Sequence, residues 1–375
     1  MSEAIQLDFR DDGPTRPLYD TPPIIIQRQR ADLTLKECIA YMGTCGAPGE
    51  FDYRDDMMPA VRERFAQNNV DFTLEEYSPR VAEWHPWHAV TEKRYLAESR
   101  FVVLPALGTT PGQATTAEIG FGLIGSILRG QEILLHVDPG YEHGKRVAIG
   151  RQIVLSYLQN IQPLQQGLGS HLCGSLQDLT DRVATTALNH VQAQNANQEL
   201  GPAQIELDRP ELIPRIVVSG SGDWSMHDEI LRQVPRRYSD LNQIKHTYSL
   251  GFDRNATKQI QEEIDLKTKS AVNLVSIKGD AELTGYGAVN EVGLLVASTV
   301  LRNQSLGLYI EKHDSDDNSP CNRQRVLVAS HLARLMQDFP DLTTRIMVAG
   351  SIEELAEWGR QKLDEHLRWR QVIGI

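Results

Sequence analysis

Residues 115 to 139 read Thr-Thr-Ala-Glu-Ile-Gly-Phe-Gly-Leu-Ile-Gly-Ser-Ile-Leu-Arg-Gly-Gln-Glu-Ile-Leu-Leu-His-Val-Asp-Pro, and this stretch decides the fold class. Its apolar residues recur at helical spacing as far as Leu128, Gly130 ends that pattern, and 133–137 form an apolar run typical of a buried strand. A helix that leads directly into a buried strand indicates a parallel α/β sheet. Glu118 stands beside the apolar stripe, where a carboxylate either complements the helix dipole or takes part in catalysis.

The same pattern returns in the second half of the chain. Residues 288 to 312 repeat Glu-(Ile/Val)-Gly, an apolar helix, Leu-Arg-(Gly/Asn)-Gln and then a strand. Two more pairs of segments match in the same order, 41–44 with 218–221 and 174–179 with 350–355. All three matches fall at nearly the same offset along the chain. We infer a duplicated unit of about 160 residues, the usual size of one domain.

Composition narrows the class of protein. The chain has 375 residues, enough for two domains, and a formal net charge of -12. This acidic balance argues against binding to a nucleic-acid polymer, which needs a concentrated basic surface, whereas single nucleotides remain eligible ligands. No apolar stretch has the length of a membrane span or signal peptide, and the four cysteines form no Cys-x-x-Cys pair. We expect a cytoplasmic protein with reduced thiols, no membrane association and no cofactor.

Strands alternate with helices in both units. In the first, apolar runs predict strands at 38–42, 70–73, 101–105 and 133–137, with helices between them. This alternation predicts a doubly wound parallel sheet, in which ligands bind beyond the carboxyl ends of the strands. We therefore predict an α/β protein of two tandem doubly wound domains that form a pseudo-dimer. The predicted boundaries are an extended arm with four prolines (1–36), a first domain (37–195), a linker (196–211) and a second domain (212–375).

Four short features follow one another in the first unit. They are a strand ending in Tyr-Met-Gly-Thr (41–44), a Ser-Pro-Arg segment followed by tryptophans (78–87), a helix with an acid before an apolar strand (89–105), and a Gly/Thr-rich loop entering Ala-Glu-Ile-Gly (108–120). In this order they resemble the nucleoside 2-deoxyribosyltransferase-like superfamily, which includes transferases and nucleotide N-glycosidases. The resemblance covers roughly residues 37–190 and, more weakly, 215–368. It implies a flavodoxin-like fold, a glutamate nucleophile and active sites near subunit interfaces.

The resemblance also implies roles for individual residues. Glu118 matches the nucleophile, and Tyr41 matches the strand-end tyrosine that helps to place it. Glu92 precedes Glu118 at about the separation where the family has an acid near the base. In the second unit Asp265 precedes Glu291 by the same number of positions, which supports the alignment.

The implied substrate-binding set surrounds these acids. It comprises Gly43, Thr44, Arg54, Trp84, Trp87, Gly112, Thr115 and Thr116, with Gly220 as a second-unit equivalent. The sequence departs from the family pattern at Val218, which replaces the tyrosine, and at Gly112 and Gly285, where transferases have an aspartate. Base exchange is therefore less expected than bond cleavage.

These residue types suit cleavage of a C1′–N bond. The reaction passes through an oxocarbenium-like state, which a carboxylate can trap as a glycosyl ester for water or a second base to resolve. Glu118 would be that nucleophile, and Glu92 would give the leaving base its proton, although a solvated helix acid explains Glu92 equally well. The segment Glu-Trp-His-Pro-Trp-His (83–88) suggests a metal, but Pro86 interrupts helical spacing. Stacking or packing of the tryptophans is favoured there, and no metal is expected.

Three interpretations of function remain open. The leading one is an enzyme acting on N-glycosidic bonds of a nucleoside or nucleotide substrate, with chemistry mainly in the first unit and room for a homo-oligomer. The second is a nucleotide-binding sensor or regulatory protein whose chemistry has decayed. The third is an unrelated doubly wound phosphate-binding protein, favoured if Glu118 is a surface cap. An acidic loop at 314–317 is either a cation site or, more commonly for such a run, a solvated turn.

Overall fold

The computed structural model describes residues 34–43, 51–80, 85–110, 112–141, 144–161, 169–196, 212–220, 232, 242–243, 256–277, 286–311 and 320–373. Three sequence predictions fall wholly or largely outside these residues: the N-terminal arm, the linker and the acidic loop. The described elements form two units, which we call the first unit (34–196) and the second unit (212–373).

The first unit alternates strands with helices. Its elements are β1 (Lys36–Tyr41), α1 (Tyr53–Gln67), β2 (Glu75–Tyr77), α2 (His88–Glu98), β3 (Ser99–Ala106), α3 (Gln113–Ile124), β4 (Glu132–Val137), α4 (Lys145–Ile161), β5 (Ser170–Cys173) and α5 (Leu176–Asn195). A π-helical turn, Gly125–Arg129, extends α3.

The second unit repeats this order. Its described elements are β6 (Ile213–Gly220), β7 (Asn242–Gln243), α6 (Ala256–Lys269), β8 (Ser270–Ile277), α7 (Tyr286–Arg302), β9 (Ser305–Ile310), α8 (Pro320–Asp338), a 3-10 turn (Pro340–Thr344), β10 (Ile346–Ala349) and α9 (Ile352–Ile373).

Each unit forms a five-stranded sheet in which neighbouring strands run parallel. The strand orders are β2-β1-β3-β4-β5 and β7-β6-β8-β9-β10, so both sheets have the same topology. This is the doubly wound order of flavodoxin-like folds. The predicted fold class, two tandem α/β units, is confirmed.

The repeated Gly-Ser segments begin equivalent helices. Ser175 Oγ accepts a hydrogen bond from the Asp178 amide, and Ser351 Oγ accepts one from the Glu354 amide, each at 3.1 Å. In both cases the carboxylate reaches back to the amide of the preceding glycine. These reciprocal bonds satisfy amides that a helix start leaves without an intrahelical partner.

The repeated Leu-Arg-(Gly/Asn)-Gln segments end the two central helices. Gly130 and Asn303 both have left-handed backbone, with φ of 69° and 61°, which glycine and asparagine adopt more readily than other residues. Gln131 then donates to the carbonyls of Leu96 and Ser99. Gln304 donates in the same way to the carbonyls of Lys267, Thr268 and Ser270.

The two units pack through α3 and α7, which cross at Gly120 and Gly293. A Cβ added to Gly120 would overlap the backbone of Gly293, and one added to Gly293 would lie 2.8 Å from the Phe121 amide nitrogen. One apolar core joins the inner faces of both sheets through this helix layer. The Glu-x-Gly repeat therefore places glycine where two backbones touch.

Arginines equivalent in the repeat cross between the units. Arg129 pairs with Asp338 at 2.7 Å, and Arg302 donates to the Asn160 side chain at 2.7 Å. These contacts are reciprocal between the two units, as the predicted pseudo-dimer requires.

Three local predictions need correction. The second strand is at Glu75–Tyr77 instead of 70–73, and α7 begins at Tyr286, ahead of the repeated segment (288–312) that predicts it. The sequence predictions also omit helix α8, although Val326, Leu327, Val328, Leu332 and Leu335 give it a buried apolar face.

Candidate active site

Helix α3 begins at the carboxyl edge of the first sheet and carries Glu118 in its second turn. The first turn of α3 lies beside the end of β1, because a Cβ added to Gly43 would be only 3.3 Å from Thr115 Oγ1. Gly43 also has a φ of 97°, a backbone conformation that favours glycine whatever the space around it. Ligands of doubly wound sheets bind at this edge. The structure thus brings Gly43 and Thr115 together in the region predicted from the sequence, and Glu118 follows further along the same helix.

Glu118 is a buried carboxyl group. Its residue is 2% exposed, and burial raises its pKa to about 8. Within the described part of the chain, Glu118 Oε1 has no hydrogen-bond partner. A buried acid of this kind is costly for the fold, and such groups are common at functional sites. The interpretation of Glu118 as a surface cap is therefore wrong.

His331, on α8 of the second unit, faces Glu118 across the contact between the units. Its Nε2 lies 3.5 Å from Glu118 Oε1, and both side chains are 3% exposed. The imidazole stacks on Phe121, with ring centroids 4.9 Å apart and planes inclined by 21°. Burial lowers the pKa of His331 to about 4, so the ring is neutral at pH 7.

Glu92 lies close to the same group of side chains. Burial first, then Glu92, Tyr95 and Glu118, raise the pKa of Tyr77 to about 12, which places this phenol within electrostatic range of both acids. Glu92 also acts on His331. Both predicted catalytic acids therefore act electrostatically on Tyr77, and Glu118 also lies beside His331.

Tyr41 does not have the predicted position. Alternation along β1 directs Ala40 and Met42 into the core that contains α3, and Tyr41 into the opposite core against α1 and α5. Burial and the Glu76 carboxylate raise the pKa of Tyr41. Its predicted role in placing Glu118 is wrong, because its side chain leaves the other face of the sheet.

Arg54 is held just beyond the ends of β1 and β2. Its Nε bonds Asp52 at 2.9 Å and its Nη1 donates to the Pro79 carbonyl, whereas Nη2 is buried with no hydrogen-bond partner in the ranges that the structure covers. Arg80 also approaches Asp52, at 3.6 Å. Two guanidinium groups thus stand at this edge, as a site for an anionic substrate group would require.

The other predicted binding residues are placed unevenly. Thr116 Oγ1 donates to Asn290 Oδ1 at 2.9 Å, so this hydroxyl joins the two units. Gly112, with a φ of 55°, occupies the cap position of α3. Trp87 is 57% exposed and stacks on His85, with ring centroids 4.1 Å apart. Thr44 and Trp84 lie outside the described residues.

The acid of the second unit has a different environment. Lys267 Nζ lies 2.8 Å from Glu291 and 2.6 Å from Glu263, and all three side chains are buried. Burial raises the pKa of Glu291, and the ammonium group opposes this shift. Burial lowers the pKa of Lys267, but the two carboxylates outweigh it and hold it above its ordinary value. This pairing keeps Lys267 charged beside Glu291.

Asp265 is not the counterpart of Glu92. It bonds Asn160 and Gln261, and its side chain is 41% exposed. Gln131 donates to the Ser99 carbonyl and Gln304 donates to the Ser270 carbonyl, so Ser99 and Ser270 occupy equivalent positions. When α2 is aligned with α6 on this basis, Glu92 is equivalent to Glu263. The predicted pairing of Glu92 with Asp265 is wrong because the segment between β8 and α7 is longer than the segment between β3 and α3.

Gly220, the predicted second-unit equivalent of Gly43, ends β6. A Cβ added to it would overlap Ser276.

Comparisons with known proteins add no relative: no protein-family model matches the chain, and no curated protein matches it. Among the described residues, no three His, Cys, Asp or Glu side chains cluster as a metal site would require. Within those same segments, no helix is long and apolar enough to cross a membrane.

Proposed function

We propose that the first unit cleaves the N-glycosidic bond of a nucleoside or nucleotide through a glycosyl ester on Glu118. The observation that carries this proposal is the buried carboxyl group of Glu118, which acts electrostatically on Tyr77 together with Glu92. Two carboxyl groups with different environments are the usual equipment for cleaving a glycosidic bond. The equivalent acids of the second unit are bridged by Lys267, which favours the first unit as the active one.

The proposed reaction has two steps. In the first, the Glu118 carboxylate attacks C1′, the C1′–N bond breaks with its electron pair on the base, and Glu92 protonates the base. In the second, water attacks C1′, gives a proton to Glu92 and releases Glu118. Because burial raises the pKa of Glu118 to about 8, Glu118 must first lose a proton to act as a nucleophile.

The test is release of free base from a panel of nucleosides, nucleotides and NAD, followed by chromatography. Wild-type protein should release base from at least one class of substrate, and Glu118→Gln should release none while keeping the fold, because the amide cannot form the ester. Undiminished release by Glu118→Gln would eliminate the mechanism. Mixing a second base into the reaction separates transfer from hydrolysis.

A nucleotide-binding sensor without turnover is the second candidate. Gly112, which stands where transferases of the resembled family have an aspartate, caps α3 with left-handed backbone and offers no side-chain acid. Calorimetric titration with the same panel decides between the candidates: saturable binding without base release supports the sensor, and release supports the enzyme.

A further inference from the structure

The first unit's site borrows a residue from the second unit. His331 Nε2 and Glu118 Oε1 face each other at 3.5 Å, and neither atom has a hydrogen-bond partner elsewhere in the described residues. An imidazole N–H is a donor and a carboxylate oxygen is an acceptor, so the two unsatisfied atoms are complementary.

We propose that His331 is the positioning residue for Glu118, with its Nε2–H donating to the carboxylate as Glu118 ionises to attack. This inference rests on the proposed function and gives His331 the role that Tyr41 cannot fill. The separation of 3.5 Å exceeds the usual 2.7–3.2 Å of an N–H···O bond. The two groups must therefore approach by about 0.5 Å when substrate binds, as catalytic hydrogen bonds commonly do.

The surroundings of His331 favour a neutral donor over a proton acceptor. Among the described residues, the titratable and charged groups that face it include Glu92 and Lys93 of α2, Arg129 of the π-helical turn and Glu118 of α3, and Arg334 lies on its own helix in the same groove. Burial lowers the pKa of His331, Glu92 opposes this, and Arg129 and Lys93 add to it. A neutral ring keeps one N–H at physiological pH, and Phe121 holds the plane of that ring.

The described residues of the second unit do not repeat this arrangement. The part of α4 that corresponds to His331 carries the buried apolar residues Ile153 and Val154. Glu291 receives its hydrogen bond from Lys267 of its own unit instead. A permanently charged ammonium group keeps a carboxylate paired, whereas a neutral N–H orients the carboxylate and leaves it reactive. The contrast ties His331 to the unit that we propose is active.

Two variants separate donation from packing. His331→Phe keeps a ring on Phe121 but removes the donor, and His331→Gln keeps an N–H donor. His171→Gln is the control, because His171 pairs with Glu132 on β4, partly exposed and away from α3. Infrared titration of the protonated carboxyl band, assigned by its loss in Glu118→Gln, gives the ionised fraction of Glu118. The pH dependence of kcat/KM on a substrate found in the panel gives the second readout.

We expect His331→Phe to lower the ionised fraction of Glu118 at pH 7 about tenfold, because a hydrogen bond to a charged group is lost. Its kcat/KM should fall by the same factor at pH 7 and recover toward alkaline pH, whereas His331→Gln and the control should stay near wild type. Equal titration of Glu118 in wild type and His331→Phe would overturn the proposal. If wild type releases no base, the proposed function fails, and the infrared titration still decides the role of His331.

Discussion

Glu118 makes stability depend on pH in a direction opposite to that of an ordinary surface acid. Its pKa of about 8 in the folded state exceeds the value of about 4.3 for an unfolded glutamate. The folded protein therefore holds a proton that the unfolded chain releases. Its contribution to stability is fully present below pH 4 and is lost as the pH rises through 8.

Glu118→Gln tests this at the level of one residue. The amide stays neutral at every pH. The free energy of unfolding of the variant should therefore rise relative to that of wild type by up to about 1.4 kcal/mol for each pH unit between pH 5 and 8. Urea unfolding at four pH values measures the difference. Glu63→Gln, exposed on α1, is the control and should show no such growth. A constant difference for Glu118→Gln would mean that Glu118 is ionised throughout.

At the level of elements, α3 and α7 can cross closely because Gly120 and Gly293 each carry a hydrogen atom in place of a side chain. Gly120→Ala should destabilise the protein by about 3 kcal/mol or more, because the new methyl group meets the backbone of Gly293, which cannot rotate away. Gly122→Ala, on the same helix, should cost less, since its methyl group meets the flexible end of Leu104. Thermal unfolding of both variants checks this, and equal losses would place the crossing elsewhere.

The buried Lys267 also joins two elements, because it lies on α6 and pairs with Glu291 on α7. Lys267→Met should destabilise the protein by about 3–5 kcal/mol, since Glu263 and Glu291 would be left buried without a counter-charge. Lys269→Met removes a neighbouring exposed pair with Asp265 and should cost about 0.5 kcal/mol or less. Denaturant midpoints compare the two variants, and a neutral result for Lys267→Met would show that the carboxyl groups share a proton.

Most helices and strands could be predicted from the sequence, because apolar residues recur with the period of the element whose face is buried. Helix α3, strand β4 and their repeats followed from that signal, and the match of Glu118 to Glu291 followed from the duplication. His331 could not be found in this way, because its importance depends on how the units dock. Two signals for it were nevertheless present: an apolar stripe marked α8, and the repeat aligned α8 with α4. The role predicted for Tyr41 was wrong because a family motif does not show which face of a strand a residue occupies.

At the scale of the whole molecule, the two units should differ in activity. Glu118→Ala should abolish base release, and Glu291→Ala should leave most of it, because Lys267 keeps Glu291 paired whereas His331 faces Glu118. Release is measured on the substrate found in the panel, with circular dichroism to confirm folding. Loss from Glu291→Ala alone would reverse the assignment, and equal loss from both would indicate two working sites or one shared site.

The glycine crossing has a consequence for how such a molecule can diverge. In a homodimer built from one such unit, the axis would bring each glycine against its own copy, and every substitution would enter the interface twice. Joining the copies in one chain removes that constraint, so one half can acquire an ammonium group while the other gains an imidazole neighbour. Gly120 and Gly293 stay identical where the backbones meet, whereas Leu96 and Lys267, at equivalent positions, have become different residues. Covalent fusion thus lets a symmetric scaffold support asymmetric chemistry.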